Sequence, residues 1–585
     1  LTVNRQATVA MSGAYNRPAS TVRAAVDIDN QDVASLVALA RTFGADVPGE
    51  MAGRLTLHGD CTAPTHKTGR LAAAFEMTLA DLDLRQDDRR VRLASLSLQE
   101  GTVAYDYASR QSQANVGIDG RALQVVTRTG RDADASIQTL AVPSLSGSVS
   151  AGTGETTTVR HFSVDVTAGD VAINRDGRDI PFGTAEVVLD ATADDASKVV
   201  RISEMRFTSP PLTVQLTGEN TIADYENTRQ LSLQGTFEGQ WDRVMELVYA
   251  VKPSLDDEDA IVVRFTGPLA PAGSESGKGT FTATGPARQP NVRPVFRNVD
   301  ASTAIGWTSG SVAGIELGQA VIRPTLEQGR LVIQAEPIPA SGGTLRPGGA
   351  VDFTGEDPVY RLPGEMRLIE NVTLKPEVGT QLLSRFNPVF AKLVGLEGTM
   401  SLSVRDLVLP LGEAIKTGGS GSGHLDLSMM SVKSRSGLLD ALVGMWGAAS
   451  GEFQKVRVEG VDFAIRDGRI HYDNVRMIFG KDVDMIFHGS VGFDDTLDLW
   501  VSVPVHAGVL EAFKVEGAVL DITRVLQRTG VRIEIPIQGT RLAPRLRLDR
   551  QRIDKLVGEA LKAMAEEQAR NALLDIMQQG LDGGD

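Results

Sequence analysis

With one cysteine, Cys61, in 585 residues, the chain holds no internal disulfide framework, and its thiol usage says little about compartment. No run approaches the ~18 consecutive apolar residues of a membrane-spanning helix. Aromatic residues are only 5% of the chain, so its apolar surface is chiefly aliphatic. Acidic residues outnumber basic ones, and the formal charge of -15 sets most of the surface against nucleic-acid phosphates. The arginines near the C-terminus, Arg541, Arg545, Arg547, Arg550 and Arg552, are the local exception: they either solvate the outer face of a strand or meet phosphates or lipid head groups.

Catalytic signatures are also missing. There is no GxSxG, no GxxxxGK[ST] and no HExxH. Lys416-Thr417-Gly418 matches one element of penicillin-binding enzymes, but no serine lies three residues before any lysine, so the nucleophile it would serve is absent. His58, Asp60, Cys61 and His66 have a spacing that could gather around zinc; they fall inside a repeated strand ending whose other copies carry no such ligands, and so read as strand and loop positions. His471 and His488 sit on expected strands, and the run Asp256-Asp257-Glu258-Asp259 reads as a solvated loop. We expect no enzyme, no metal and no cofactor.

What is present is alternation. In VRIEIPIQGTRLAPRLRL, Val531 to Leu548, the residues Val531, Ile533, Ile535 and Ile537 alternate with polar ones, the period of a strand with one apolar face. Gly539 and Pro544 then end the pairing. Related endings recur at Arg54–Pro64, Val262–Pro271 and Ser401–Pro410, each preceded by a strand and a helical stretch. The helical stretches are Asp32–Phe43, Trp241–Val251, Pro376–Val394 and a run around VLDITRVLQRTG, with a short helix at Gly437–Trp446. At this length, a chain of divergent repeats suits one elongated structure better than a single core. The expected segments are 1–156, 157–287, 288–410, 411–549 and a C-terminal amphipathic helix and tail, 550–585.

The stretch Val461 to Leu548 carries a family resemblance. VDFAIRDGRIHYDNVRM, DMIFHGSVGFDDTLDLWVSVPV and IEIPIQGTRLAPRLRLD resemble the C-terminal module of the AsmA-like superfamily, and earlier segments resemble it more weakly. The resemblance implies a mainly β protein: an elongated, curved antiparallel sheet forming a trough, with a few short helices. It also implies a non-enzymatic function, the carriage of phospholipid acyl chains across the periplasm between inner and outer membranes, with an N-terminal helix anchored in the inner membrane. That helix is not in this sequence, and because the chain begins at Leu1 and not Met, we expect it to be part of something longer.

A trough needs strands that present apolar residues to one side. Leu402, Val404, Leu425, Leu427, Val483, Met485, Phe487, Leu499, Val501, Val503, Val531, Ile533, Ile535 and Ile537 are the expected lining. Alternation alone equally fits burial in a closed β-sandwich core. Two other functions fit: an assembly factor whose exposed strand edges pair with outer-membrane proteins, or a repeat-built scaffold.

Overall fold

The computed structural model describes residues 2–3, 7–42, 49–86, 89–129, 136–153, 158–175, 178–251, 261–287, 297–434, 438–444, 454–479, 483–505 and 532–547, with scattered positions between 523 and 566. The described chain is mainly β with short helices, and its registered strand pairs are antiparallel. It divides into two compact units: Leu1–Pro253 with Thr266–Trp307 and Arg323–Gly329, and Ser254–Phe265 with Thr308–Ile322 and Arg330–Asp585.

The first unit opens with β1 (Thr2–Val3), β2 (Ala7–Asn16), β3 (Thr21–Asp32), β4 (Glu50–Pro64), β5 (Arg70–Gln86) and β6 (Arg89–Asp106). It continues through β7 (Gln111–Thr129), β8 (Ser136–Thr153), β9 (Val159–Arg175), β10 (Arg178–Asp194) and β11 (Val199–Thr208). From β2 to β11 each strand pairs with the next. The ladder runs unbroken through the expected boundary at 156, because β8 and β9 pair from Gln138↔Arg175 to Thr153↔Arg160.

Strands this long keep one face apolar only by correcting their phase. Asn30, Asp81, Ala122 and Asp170 adopt positive φ near 50° within β3, β5, β7 and β9, and Gly53 does so in β4 at 143°. Asn30, Asp81 and Asp170 each take up an extra residue at a bulge against one neighbouring strand, which bends the strand and returns the next side chain to the former face. On β5 the apolar positions therefore read Leu71, Ala73, Phe75, Met77 and Leu79, then skip to Leu82 and Leu84.

Two helices fall where the sequence places them. α1 (Val33–Thr42) starts at Asp32, whose carboxylate accepts from Ser35 N at 3.1 Å and Ser35 Oγ at 2.7 Å, an N-terminal cap. α2 (Trp241–Val251) has its first residue held by the Trp241 indole, which donates to Gly306 O at 2.6 Å.

In the second unit the strands Val359–Thr373, Thr399–Pro410, Ser420–Leu427, Val461–Arg466, Arg469–Phe479, Val483–Gly492, Leu497–Pro504, Arg532–Thr540 and Ala543–Leu546 pair in that order. The expected meander is thus present. Its first hairpin turns on Asp467 and Gly468, with φ of 52° and 68°, as a tight two-residue turn requires.

The long helix expected over Pro376–Val394 is not one helix. It breaks into Pro376–Val378, a π-turn at Gly379–Leu383, Ser384–Phe386 and a 3-10 turn at Pro388–Phe390, and Leu393–Glu397 is a strand. Pro388 has no N–H and forbids continuation. Asn387 leaves the helical region, and its side chain accepts from Val389 N at 3.0 Å, restarting the turn. The short helix expected at Gly437–Trp446 is described over Leu438–Gly444. Asp256–Asp259, most of the run 519–530 and most of the C-terminal helix at 550–585 lie outside the described residues.

Candidate functional site

The sequence-expected lining residues come together, but in a closed core. In the second unit Val475, Phe487, Val501 and Ile535 form one cross-strand row, Leu499 opposes Ile537, and Val503 opposes Ile533. Leu402 opposes Leu425, and Met400 opposes Leu427. Leu402, Val404, Leu425, Leu427, Met485, Phe487, Leu499, Val501, Val503, Ile533, Ile535 and Ile537 are all buried, with Phe487 and Val501 at 0% exposure. The broken helical segment lies against them: Phe386 meets the Phe463 ring edge-on at 5.1 Å, and Leu383, Val389 and Phe390 are buried. These stripes pack the interior of the second unit instead of lining an open wall, because that segment supplies the apolar partner they need. Val531 and the Val483 side chain lie outside the described residues.

The open apolar face is in the first unit. One row runs Leu57, Met77, Leu98, Ile118, Gly147, Val166, Val187, Phe207 from β4 to β11. A parallel row runs Ala24, Cys61, Ala73, Val103, Ala114, Ala151, Phe162, Ala191 from β3 to β10. Across the bulges lies a third: Met51, Leu84, Val91, Val125, Leu140, Ile173, Ile180. Val103 is 38% exposed, and Phe162 and Val187 are each 36% exposed. Near the bulges Leu93, Val142, Val171 and Ile180 are buried, so the face shelters itself where the strands bend.

The reverse face is polar. Ser97, Asp119, Ser146, Thr167 and Glu186 form a row across it, and Thr78 and Ser97 hydroxyls meet at 3.2 Å. Also on this polar side, Asp83 accepts from Arg90 Nε at 2.7 Å, and that guanidinium holds its carboxyl down to about 2. Unsheltered aliphatic rows on one side of a sheet forgo about 25 cal/mol for each Å² left in water, and contiguous exposed apolar surface of this kind marks a binding surface.

Relief on the apolar face is low because rings lie flat on glycines of the neighbouring strand. Phe75 opposes Gly101, Phe281 opposes Gly235 and Phe237 opposes Gly279. A Cβ on those glycines would stand 2.6, 2.7 and 2.2 Å from the ring. The same device recurs in the second unit, where Phe463 covers Gly423.

The residues weighed as zinc ligands do not converge. His58 and Cys61 are three apart on β4 and so point to opposite faces. His58 is bound to Asp27 at 3.0 Å on the polar side, and Cys61 sits in the apolar row between Ala24 and Ala73. Among the described residues no group of three or more His, Cys, Asp or Glu could hold a metal ion. Lys416 of the isolated KTG bonds Glu413 at 2.6 Å. His471 is pushed below its ordinary value by burial, and His488 meets Glu534, two strands away across Leu497–Pro504, at 2.9 Å. Arg541 is buried rather than solvating a strand.

No family model, curated protein or solved structure matches the chain. Fold and face together define an antiparallel β protein whose first unit is apolar on one side of a long ladder and polar on the other.

Proposed function

We propose that the protein is a non-enzymatic carrier of phospholipid acyl chains, and that the apolar face of the first unit is the surface along which they lie. The observation that carries this reading is the set of continuous, partly exposed aliphatic rows crossing β3 to β11. An acyl chain has nothing to hydrogen-bond, and a wall of Leu, Val, Ile, Ala and flattened Phe offers it apolar contact with few polar hooks. Binding then follows buried area, about 25 cal/mol per Å², and is indifferent to the head group.

Bulges along the strands curl such a wall toward a trough. In the resemblance drawn from Val461–Leu548, this surface would work in the periplasm between inner and outer membranes, attached to the inner membrane by a segment outside this chain. The second unit is a packed module of its own.

Binding of a fluorescent acyl probe tests the reading. Phe162→Glu and Val187→Glu place a carboxylate on the apolar rows and are expected to weaken binding by at least about tenfold, since an unpaired charge there is costly. Ser146→Glu, on the polar face, is expected to leave it unchanged. Equal effects from both faces would remove the basis for the proposal.

A further inference from the structure

The strands of the first unit reverse at two ends, and at one of them the turns are alike. Arg17-Pro18-Ala19-Ser20 lies between β2 and β3, Thr65-His66-Lys67-Thr68-Gly69 between β4 and β5, and Tyr107-Ala108-Ser109-Arg110 between β6 and β7. The three turns are tied side by side. Thr65 donates to Ser20 O from its backbone N–H at 2.9 Å and from its hydroxyl at 2.8 Å, and Tyr107 N donates to Gly69 O at 2.9 Å. They make one rim.

That rim is basic in a chain whose formal charge is -15. Each turn carries one exposed cation, Arg17, Lys67 or Arg110, and no acid. Among the described residues none of these cations enters an ion pair or a side-chain hydrogen bond. Asp106, at the end of β6, is already engaged: its carboxylate accepts from Ala108 N and Ser109 N, each at 2.9 Å, and Arg70 opposes it across the strand pair. The sequences that link these strands at their other ends mix the two signs, with Asp87-Asp88 beside Arg89-Arg90 and Arg131 beside Asp132.

Aromatic rings stand where the rim meets the apolar face. Tyr105 opposes Leu71, two residues beyond the pair Ala73 and Val103, and so shares the apolar face; the Tyr107 ring meets it edge-on at 4.9 Å. Tyr15 opposes Val22, two residues beyond the pair Gly13 and Ala24 on that face, and is 59% exposed. Tyrosine joins an apolar ring to a hydrogen-bonding tip, which suits it to the boundary between hydrocarbon and head groups.

We propose that this rim docks on an anionic lipid bilayer, with Arg17, Lys67 and Arg110 among the head-group phosphates and Tyr15, Tyr105 and Tyr107 at the level of the interface. Unpaired cations fit that surface because each gains from its negative potential without breaking an ion pair within the chain. Strands lie about 4.8 Å apart, so turns two strands apart are separated by about 10 Å and the three span about 20 Å. Charge alone would equally suit a nucleic acid, but these rings border an apolar wall, which a lipid surface continues and a nucleic acid does not. The docking does not depend on whether the face carries acyl chains.

The test is co-sedimentation of the whole chain with vesicles of phosphatidylcholine, alone or in equal parts with phosphatidylglycerol. Binding is expected to the mixed vesicles only, and to fall as salt rises. Arg17→Gln/Lys67→Gln/Arg110→Gln is expected to lower the partition coefficient at least about tenfold, each cation near such a surface contributing about fivefold. Tyr15→Ser is expected to lower it as well, as loss of an interfacial ring should. Arg54→Gln/Arg92→Gln/Arg121→Gln removes the same charge from exposed positions within β4, β6 and β7, and is expected to retain binding. Val187→Glu, which tests acyl binding on the face, is expected to retain it too, so the two proposals fail separately. Circular dichroism checks that the variants fold. A wild-type chain that stays in solution beside the mixed vesicles, binding that survives the rim variant, equal loss in the interior variant, or equal binding to both vesicle types would each overturn the proposal. So would a chain that binds duplex DNA through the same three cations and ignores the vesicles.

Discussion

Arg541, 1% exposed in the turn between the last two described strands, donates a 2.7 Å hydrogen bond to Ser384 Oγ in the broken helical segment, joining positions 157 residues apart. Its Nε also donates to Asp495 Oδ1 at 2.6 Å, and it reaches Thr380 O at 3.4 Å. One guanidinium thus fastens the helical segment to the far end of the second unit's meander. Arg541→Ala is expected to destabilise that unit by about 1.5–3 kcal/mol, through the loss of hydrogen bonds made by a buried charged group. Arg541→Met, which keeps the volume, is expected to cost much less. Urea unfolding of the two variants measures the difference.

Tyr472 makes the opposite case. It is buried, its hydroxyl finds no hydrogen-bond partner among the described residues, and burial drives its pKa far above the ordinary value. Tyr472→Phe is expected to raise stability by about 1 kcal/mol, because an unsatisfied buried hydroxyl carries a desolvation penalty that phenylalanine lacks. A thermal melt that shifts down would show that the hydroxyl has a partner.

Gly423 lies under Phe463, and a Cβ there would stand 2.3 Å from the ring and 2.6 Å from Ser403 O. Gly423→Ala is expected to cost about 1–3 kcal/mol through overpacking, and Phe463→Ala about 3–5 kcal/mol through the cavity it opens. Since the two positions touch, the double variant should lose less than the sum. Strict additivity in denaturant titrations would refute the stacked arrangement.

His424 gives a pH dependence of predictable sign. Its Nδ1 meets Asp462 at 2.6 Å and its Nε2 meets Asp426 at 3.1 Å; the Asp462 hydrogen bond is the main cause of a pKa above the ordinary 6.5, with Asp426 adding to it. A raised folded pKa means the stabilisation is fully present below about pH 6.5 and is lost as pH rises through the folded value. The side chain is 41% exposed, so solvent screening keeps the effect to about 0.2–1 kcal/mol. His424→Gln should flatten that portion of the stability profile, and an NMR titration of His424 should place its midpoint above 6.5.

How much of this was legible in the sequence follows from what alternation can and cannot encode. Trp241–Val251 and Val33–Thr42 were readable because apolar residues recur at helical spacing, and Asp32 caps the second. The meander over Val461–Pro504 was readable because Val461, Phe463 and Ile465 alternate without interruption. That regularity does not distinguish an open wall from a core: the cleanest stripes, such as Leu499, Val501 and Val503, are wholly buried. The open face of the first unit is hidden in the sequence because the alternation changes phase at Asp81, Ala122 and Asp170 in β5, β7 and β9. Apolar residues that share a face in space then stop alternating in sequence. The detectable trace is a period-2 run that resumes one residue late after an Asp, Asn, Gly or Ala. Breakage of the segment Pro376–Phe390 was foreshadowed by Asn387-Pro388, which the three- and four-residue apolar spacing outweighed.

The most direct test of the lipid-carrying face is to purify the chain without detergent and quantify bound lipid by mass spectrometry, with denatured and refolded protein as the control. Phospholipid at several molecules per folded chain, absent from the refolded control and depleted in Phe162→Glu, is the expected result. A folded chain that carries none, and takes up none from vesicles, would contradict it.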